Sequence, residues 1–330
     1  MLRHLIKGLV TCVPGAYKAF SRATTGGTCS ASYCYSVWLR HLVKAHESGL
    51  STNPATVAEL GPGDSIGIGL AALVTGARQY HALDIVRFAN DESNLTILDD
   101  IVALVRRRAD IPGDTEWPEV IPRLESYAFP QHILDCQRLD AALAQPRLEA
   151  IRASIRRTQT NPLVQYHVPW NDRAVVRPNS VDMIFTQAVL EHVDDLAWTY
   201  ECLRSWLRPE GFMSNTVDFR CHGTAREWDG HWSYPSLVWK MIRGRRPYLI
   251  NRQPFSTHER LLRDAGFHLH YFERVRSAST LSRSCLPDPV SMSDDDLTTS
   301  CAFMQATPFV APLHSSRCGS EKDTVGELTT

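Results

Sequence analysis

Apolar and polar positions fall into two rhythms along the chain. Residues 33–46 set Val37, Leu39, Leu42 and Val43 at helical spacing before Gly49 and Asn53-Pro54 break the pattern. Residues 56–60 (TVAEL) then read as a short strand that runs into Gly61-Pro62-Gly63. A helix of small residues is predicted over 65–75, and a second buried strand over 79–85, which carries Asp84 near its end. Strand, glycine turn, helix and strand make a β-α-β unit and start a parallel sheet. The same alternation resumes with strands at 163–168, 181–186 and 211–217 and a helix over 195–206. It predicts an α/β fold with a doubly wound, Rossmann-like sheet. A helix over 254–266 follows, with Ser256-Thr257 as N-cap and Gly266 as C-cap, then strands at 268–274 and 301–307.

Between the two halves of the sheet, residues 91–160 are polar and helical. Ile101, Leu104 and Val105 form one apolar stripe; Ile133, Leu134, Leu139 and Leu143 form another; Pro146 separates it from Leu148, Ile151 and Ile155. The segment exceeds what a crossover needs and is expected to be a helical insertion acting as a cap or lid. Its Arg106-Arg107-Arg108 run reads as a solvated helix end or, alternatively, a phosphate clamp. The expected organisation is a basic N-terminal arm (1–32), the first half of the core (33–90), the insertion (91–160), the second half (161–310) with an acceptor-side segment at 220–255, and a disordered tail (311–330) rich in Ser, Thr, Asp and Glu.

With 330 residues the chain can bury a self-sufficient core, and 43% apolar with 22% charged residues excludes a disordered or fibrous chain. Lys plus Arg (35) balance Asp plus Glu (36), so a generic nucleic-acid partner is not expected. Nine scattered cysteines, never spaced C-x-x-C, suggest neither zinc nor a disulfide framework and fit reduced thiols in a cytoplasmic protein. The first 46 residues contain no acid and carry Arg3, Lys7, Lys18, Arg22, Arg40 and Lys44. Such an arm is either plain surface or a peripheral contact with an anionic membrane; Lys7, which interrupts the apolar stretch, argues against a secretory signal.

The glycine turn gives the chain its chemistry. In Glu59-Leu60-Gly61-Pro62-Gly63 the glycines let the backbone approach a ligand closely, and an acidic side chain at the next strand end, Asp84, suits ribose hydroxyls. An adenosine-containing ligand follows. Position 66 is Ile where a dinucleotide fingerprint needs a third glycine, and Glu59 beside a pyrophosphate would be repelled, so nicotinamide cofactors are disfavoured.

These residues resemble the first motif of the class I S-adenosylmethionine-dependent methyltransferases. Residues 181–193 (VDMIFTQAVLEHV) resemble the family's fourth strand, and residues 203–212 (LRSWLRPEGF) its approach to the fifth. The resemblance implies S-adenosylmethionine as cofactor. Glu59 would help to hold its positively charged end, Gly61 and Gly63 would lie under the methionyl moiety, and Asp84 would take the ribose. Gln187 would line the cofactor wall. Adenine would sit near residues 167–172, against Val168 and Trp170, although Trp170 reads equally well as a core aromatic.

A hydroxyl acceptor needs a base, and His192, Asp218 and His222 are the catalytic candidates; His192 and His222 also read as packing residues. Residues 228–252 interleave Trp228, Trp232, Tyr234, Trp239 and Tyr248 with Lys240, Arg243, Arg245, Arg246 and Arg252. They form either an acceptor-binding segment or a packed aromatic cover. His268 and His270 share a strand face without a third ligand, so no metal site is expected. Residues 218–222, 251–252 and 295–307 resemble, more weakly, bacterial methyltransferases of surface-polysaccharide and glycolipid synthesis. That resemblance implies O-methylation of a sugar or other small hydroxyl acceptor, with nitrogen and carbon acceptors left open. A non-catalytic binding protein on the same fold is the alternative; oligomeric state is not legible.

Overall fold

Strands buried on both faces need helices on both sides, and the chain supplies them in alternation. The computed structural model describes residues 2–11, 27–158, 160–246, 249–287 and 292–309. Its seven-stranded sheet comprises β1 (Thr56–Leu60), β2 (Gln79–Leu83), β3 (Val164–His167), β4 (Val181–Gln187), β5 (Leu207–Asp218), β6 (Phe267–Arg276) and β7 (Thr299–Pro308). Their order is β3-β2-β1-β4-β5-β7-β6, with the first five parallel and β7 antiparallel to both neighbours. This is the strand order of the class I methyltransferase fold. Strand order reverses between β1 and β4, which opens a crevice at their carboxyl ends.

The pleat divides the core. Val57, Tyr80, Met183 and Phe185 pack with α2 (Ala31–Glu47), α3 (Gly67–Val74), α4 (Asp91–Arg106) and α6 (Gln145–Ile155). Ala58, Leu60, Leu83 and Ile184 face α7 (Leu196–Trp206) and α9 (Phe255–Asp264) on the other side. Asp195 caps α7 through the Trp198 amide at 3.0 Å, and Asn90 caps α4 through Ser93 at 2.9 Å.

Three expectations need correction. The 91–160 insertion is not a separate lid: Ile97, Leu98, Ile101, Val105, Leu148, Ile151 and Ile155 lie in the main core, so its helices form the crossover layer over β2 and β3. Its connecting loop, 107–135, reaches the ends of β4 and β5 through Ile121, and the start of α4 reaches the glycine turn through Asn94. The Ser256-Thr257 cap is also absent: α9 starts at Phe255 with Pro254 as its N-cap, two residues before Ser256, and the Ser256 amide and hydroxyl bond Asp296 at 2.9 and 2.7 Å. Asp296 is buried and must be satisfied, which decides the use of Ser256. Finally, two cations of the acid-free stretch are not part of an arm. Arg40 and Lys44 are buried on α2, where Lys44 pairs with Glu47 at 3.0 Å and Glu273 at 2.6 Å. Lys18, Arg22, Tyr248 and the 311–330 tail lie outside the described residues.

Before the sheet, α1 (Leu2–Val10) lies on α8 (Ser236–Arg243), with Leu5 against the cluster of Trp239, Ile242 and Ile250. Among the described residues no helix is long and apolar enough to cross a membrane.

Gly69 on α3 faces the Tyr80 ring so closely that an added methyl group would overlap it. Gly69→Ala should therefore cost about 1–3 kcal/mol of stability as α3 or Tyr80 shifts, read as a lowered urea midpoint with an unchanged m-value. An unchanged midpoint would show that the helix has slack here.

Candidate active site

At the end of β1 the chain turns through Gly61 (φ +73°) and Gly63 (φ +71°), a left-handed geometry that side chains resist. A Cβ on Gly61 would lie 2.6 Å from the Val189 side chain, so the turn is closely packed under the loop after β4. The Gly61 amide donates to the Leu83 carbonyl at 2.8 Å, which ties the turn to the end of β2.

Glu59 stands behind this turn and does not face its open side. Its side chain is buried, accepts the Tyr80 hydroxyl and meets the Gly69 amide. Burial pushes its carboxyl up to about 8 despite those bonds. The expectation that Glu59 directly holds a cationic ligand end is corrected accordingly: it joins β1, β2 and α3 under the glycines.

Asp84 leaves β2 on the exposed side. Its carboxylate accepts the Ile85 amide at 2.7 Å and faces the Gly63 amide, which brings the acid beside the glycine turn. Partial burial raises it to about 6. Around it Ile85, Val86 and Val168 are exposed, an apolar edge at the ends of β2 and β3. Ile85 and Val86 were missed in the sequence: Ile85 read as the tail of a buried strand, and Val86 lies just beyond it. Trp170 takes the core alternative: it is 5% exposed and packs against Trp198 and Trp206, with centroids at 5.4 and 6.2 Å.

Gln187, the last residue of β4, is held at both ends of its amide. Its Oε1 meets His41 Nε2 at 3.1 Å and its Nε2 donates to the Ile121 carbonyl at 3.3 Å. Ile121 also accepts Thr216 Oγ1 at 3.2 Å, so one loop carbonyl joins the ends of β4 and β5. That loop is fastened by Arg40, whose buried guanidinium donates to the carbonyls of Pro112, Val120 and Pro122. His41 is fully buried against Ser214 at 2.7 Å, and desolvation lowers it to about 4, so it is neutral. Arg40 was read only as a cation of the acid-free stretch and His41 was missed; the available signal was two polar side chains in an apolar helix.

The three catalytic candidates meet beyond β4 and β5. His192 ends a 3-10 turn, Leu190–His192, and its ring lies edge-on to His222, with centroids 5.0 Å apart. His222 has φ +47° and places Nε2 3.3 Å from Asp218 Oδ2. Asp218, the last residue of β5, is clasped by Arg220 through Nε at 2.9 Å and Nη2 at 2.8 Å. Burial alone would raise the carboxyl, but the bonds from His222 and Arg220 outweigh it and hold Asp218 well below the ordinary carboxylate range. Asp218 is therefore an ionised group that positions His222 and not a proton acceptor itself. Arg220 and the adjacent Glu191 were missed: each stood inside a stretch read for its neighbours, Arg220 in 218–222 and Glu191 in 181–193.

The aromatic segment is mainly a packed cover. Trp232 and Trp239 are buried, Arg252 stacks on Trp239 at 4.7 Å and donates to the His231 and Tyr234 carbonyls. A cleft of about 790 Å³, lined by Gln79, His81, Gln165 and Arg173, opens on the β2–β3 side; of the segment 167–172 it takes in Asp172 alone.

No family model matches the chain. A 59-residue stretch is 36% identical to the inhibitor of nuclear factor kappa-B kinase subunit alpha of Xenopus tropicalis, covering 18% of this chain and 8% of that protein. Among solved structures, phosphoethanolamine N-methyltransferase 2 of Haemonchus contortus, in complex with S-adenosyl-L-methionine, is similar at 15% identity and a TM-score of 0.40, over 83% of this chain and 53% of that one. An S-adenosylmethionine-dependent methyltransferase of Mesorhizobium loti is similar at 11% identity and 0.41, over 80% and 96%. The fold class rests on the strand order, β3-β2-β1-β4-β5-β7-β6, and not on these scores.

The buried Glu59 binds a proton in the folded chain that the unfolded chain releases near 4.5. Its contribution to stability is complete below that pH and is lost as pH rises through about 8. Glu59→Gln should flatten the decline by up to about 1.4 kcal/mol per pH unit, as measured by urea unfolding between these limits. Parallel pH profiles of variant and parent would place the titration elsewhere.

Proposed function

We propose that the chain is an S-adenosylmethionine-dependent methyltransferase acting on a hydroxyl oxygen of a sugar or other small acceptor. The observation that carries this reading is the convergence, along one carboxyl edge of a β3-β2-β1-β4-β5-β7-β6 sheet, of the glycine turn, Asp84, Gln187 and the His192–His222 pair. When bound, S-adenosylmethionine supplies a methyl group already activated by a sulfonium sulfur.

The residues suit that ligand. Gly63 lets the turn approach a ligand with backbone alone while Gly61 keeps the turn closed against Val189, Asp84 offers an acceptor for ribose hydroxyls, and Ile85, Val86 and Val168 offer an apolar edge for a purine. Gln187 is held rigid by His41 and Ile121 and adds a fixed polar wall. Transfer then depends mainly on orientation and on removal of the acceptor's proton. The His192–His222 pair, with Asp218 fixing His222, handles that proton in this reading.

The acceptor reading extends to the α1–α8 face. Ile6, Leu9, Leu237 and Met241 are exposed there, beside Arg3, Lys7 and Lys240. Apolar and cationic side chains together suit an anionic lipid surface, which would bring a lipid-linked acceptor near the site. Leu237→Asp with Met241→Asp should abolish co-sedimentation with phosphatidylserine vesicles while leaving the fold intact by circular dichroism. Equal sedimentation of variant and parent would remove the membrane from the proposal.

Calorimetric titration with S-adenosylhomocysteine, with NADH as the control, tests the cofactor. Binding of the adenosyl ligand alone is expected, weakening as Asp84 protonates below about pH 6. Asp84→Asn should lower affinity by about 1–3 kcal/mol and remove that pH dependence. No adenosyl binding by the folded protein would favour the non-catalytic alternative.

A further inference from the structure

Glu191, His192 and His222 each bring one ligand atom to a common point, with all three atoms within 4.8 Å of one another. Two imidazoles and one carboxylate, with positions left for other ligands, form a donor set typical of first-row transition metals. The residues come from two different segments, the turn after β4 and the loop after β5, so their meeting is a product of the fold and not of a helical repeat.

An independent observation points the same way. Glu191 is 3% exposed, and neither carboxylate oxygen closes a hydrogen bond of normal geometry; the amides of residues 191 and 218 only face it. A buried carboxylate without such bonds is costly, and a cation is the partner that would satisfy it. Arg220, the guanidinium that acts on Glu191, is already committed to Asp218 and Glu119. We propose that Glu191, His192 and His222 form a binding site for one divalent transition-metal ion, with Asp218 orienting His222 from behind.

Asp218 Oδ2 lies 3.3 Å from His222 Nε2, which closes no hydrogen bond of normal geometry; an ion on Nδ1 would leave Nε2–H to donate to Asp218, as metal-bound imidazoles donate to carboxylates. Ligands at about 2.1 Å from a tetrahedral ion lie roughly 3.4 Å apart, so the side chains close by up to about 1.4 Å on binding. An ion here would also lower the pKa of a coordinated hydroxyl, giving the two histidines a role in proton removal as ligands. The site itself goes beyond the methyl-transfer reading and does not need it.

The full chain, stripped with a chelator and dialysed, is titrated with Co²⁺ followed by visible absorption and with Zn²⁺ by calorimetry, Mg²⁺ being the comparison. The expected result is one ion per chain, visible ligand-field bands, Mg²⁺ binding at least tenfold weaker than Zn²⁺, and a ten- to hundredfold loss of affinity in both Glu191→Gln and His222→Ala. His167→Ala, on β3 away from the cluster, should bind like the parent. Absence of binding by folded parent protein, or equal binding by both cluster variants, overturns the site. A variant that fails a circular-dichroism check is replaced by His192→Gln, judged by the same loss. No cofactor enters these titrations, so their failure leaves the methyl-transfer reading intact, and absence of S-adenosylhomocysteine binding leaves the metal site intact.

Discussion

A carboxyl group buried inside the first strand holds the candidate cofactor edge together. Glu59 takes the Tyr80 hydroxyl from β2 and faces the Gly69 amide of α3, so a single side chain links the two strands and the helix around the glycine turn. The arrangement needs a glycine at 69, because a larger residue would displace the ring that donates the bond. Desolvation keeps Glu59 near the boundary between its charged and neutral forms. Its contribution to the turn is therefore positional: the turn's shape follows from what lies behind it, while its exposed side is left to Asp84 and the apolar residues of β2 and β3.

Most of the sheet was legible because strong local patterns agree with the tertiary arrangement. β1 and the start of β2 fall where alternation and the glycine turn place them, and Gly266 closes α9 with φ +81° as a C-cap glycine should. The insertion was misread because its amphipathic stripes show that helices bury one face but not against what; that partner is the main core and not a movable lid. Ser256 failed as a cap for the same kind of reason. A buried acid distant in sequence, Asp296, outcompetes local capping.

At the site, legibility followed the backbone. Gly61, Gly63 and Asp84 could be read because their roles are set by turn geometry and strand position. Glu59 and Trp170 could not, since the direction a side chain takes at a strand end depends on what packs against it. The long-range bonds that fix Gln187, from His41 on α2 and Ile121 in the connecting loop, have no local signature at all.

The acceptor side shows how context redistributes chemistry among residues of similar type. Asp218 has the position of a base but the partners of an anion: Arg220 and His222 stabilise its charged form strongly enough to remove it from proton transfer. Glu191, one turn away in space, has the opposite environment, burial without a cationic partner of its own. Of the two carboxyl groups near one committed guanidinium, Asp218 keeps its charge while burial and Asp218 push Glu191 toward its protonated form, so a proton meets the deficit of positive charge where His192 and His222 converge. A catalytic proton and a metal ion are both answers to that deficit, and they differ in what the histidines contribute: a base must keep a nitrogen lone pair open toward the acceptor, whereas a ligand gives it to the ion. The three ligand atoms lie within 4.8 Å of one another, which suits an ion that engages both rings and Glu191, whereas a base needs one ring alone.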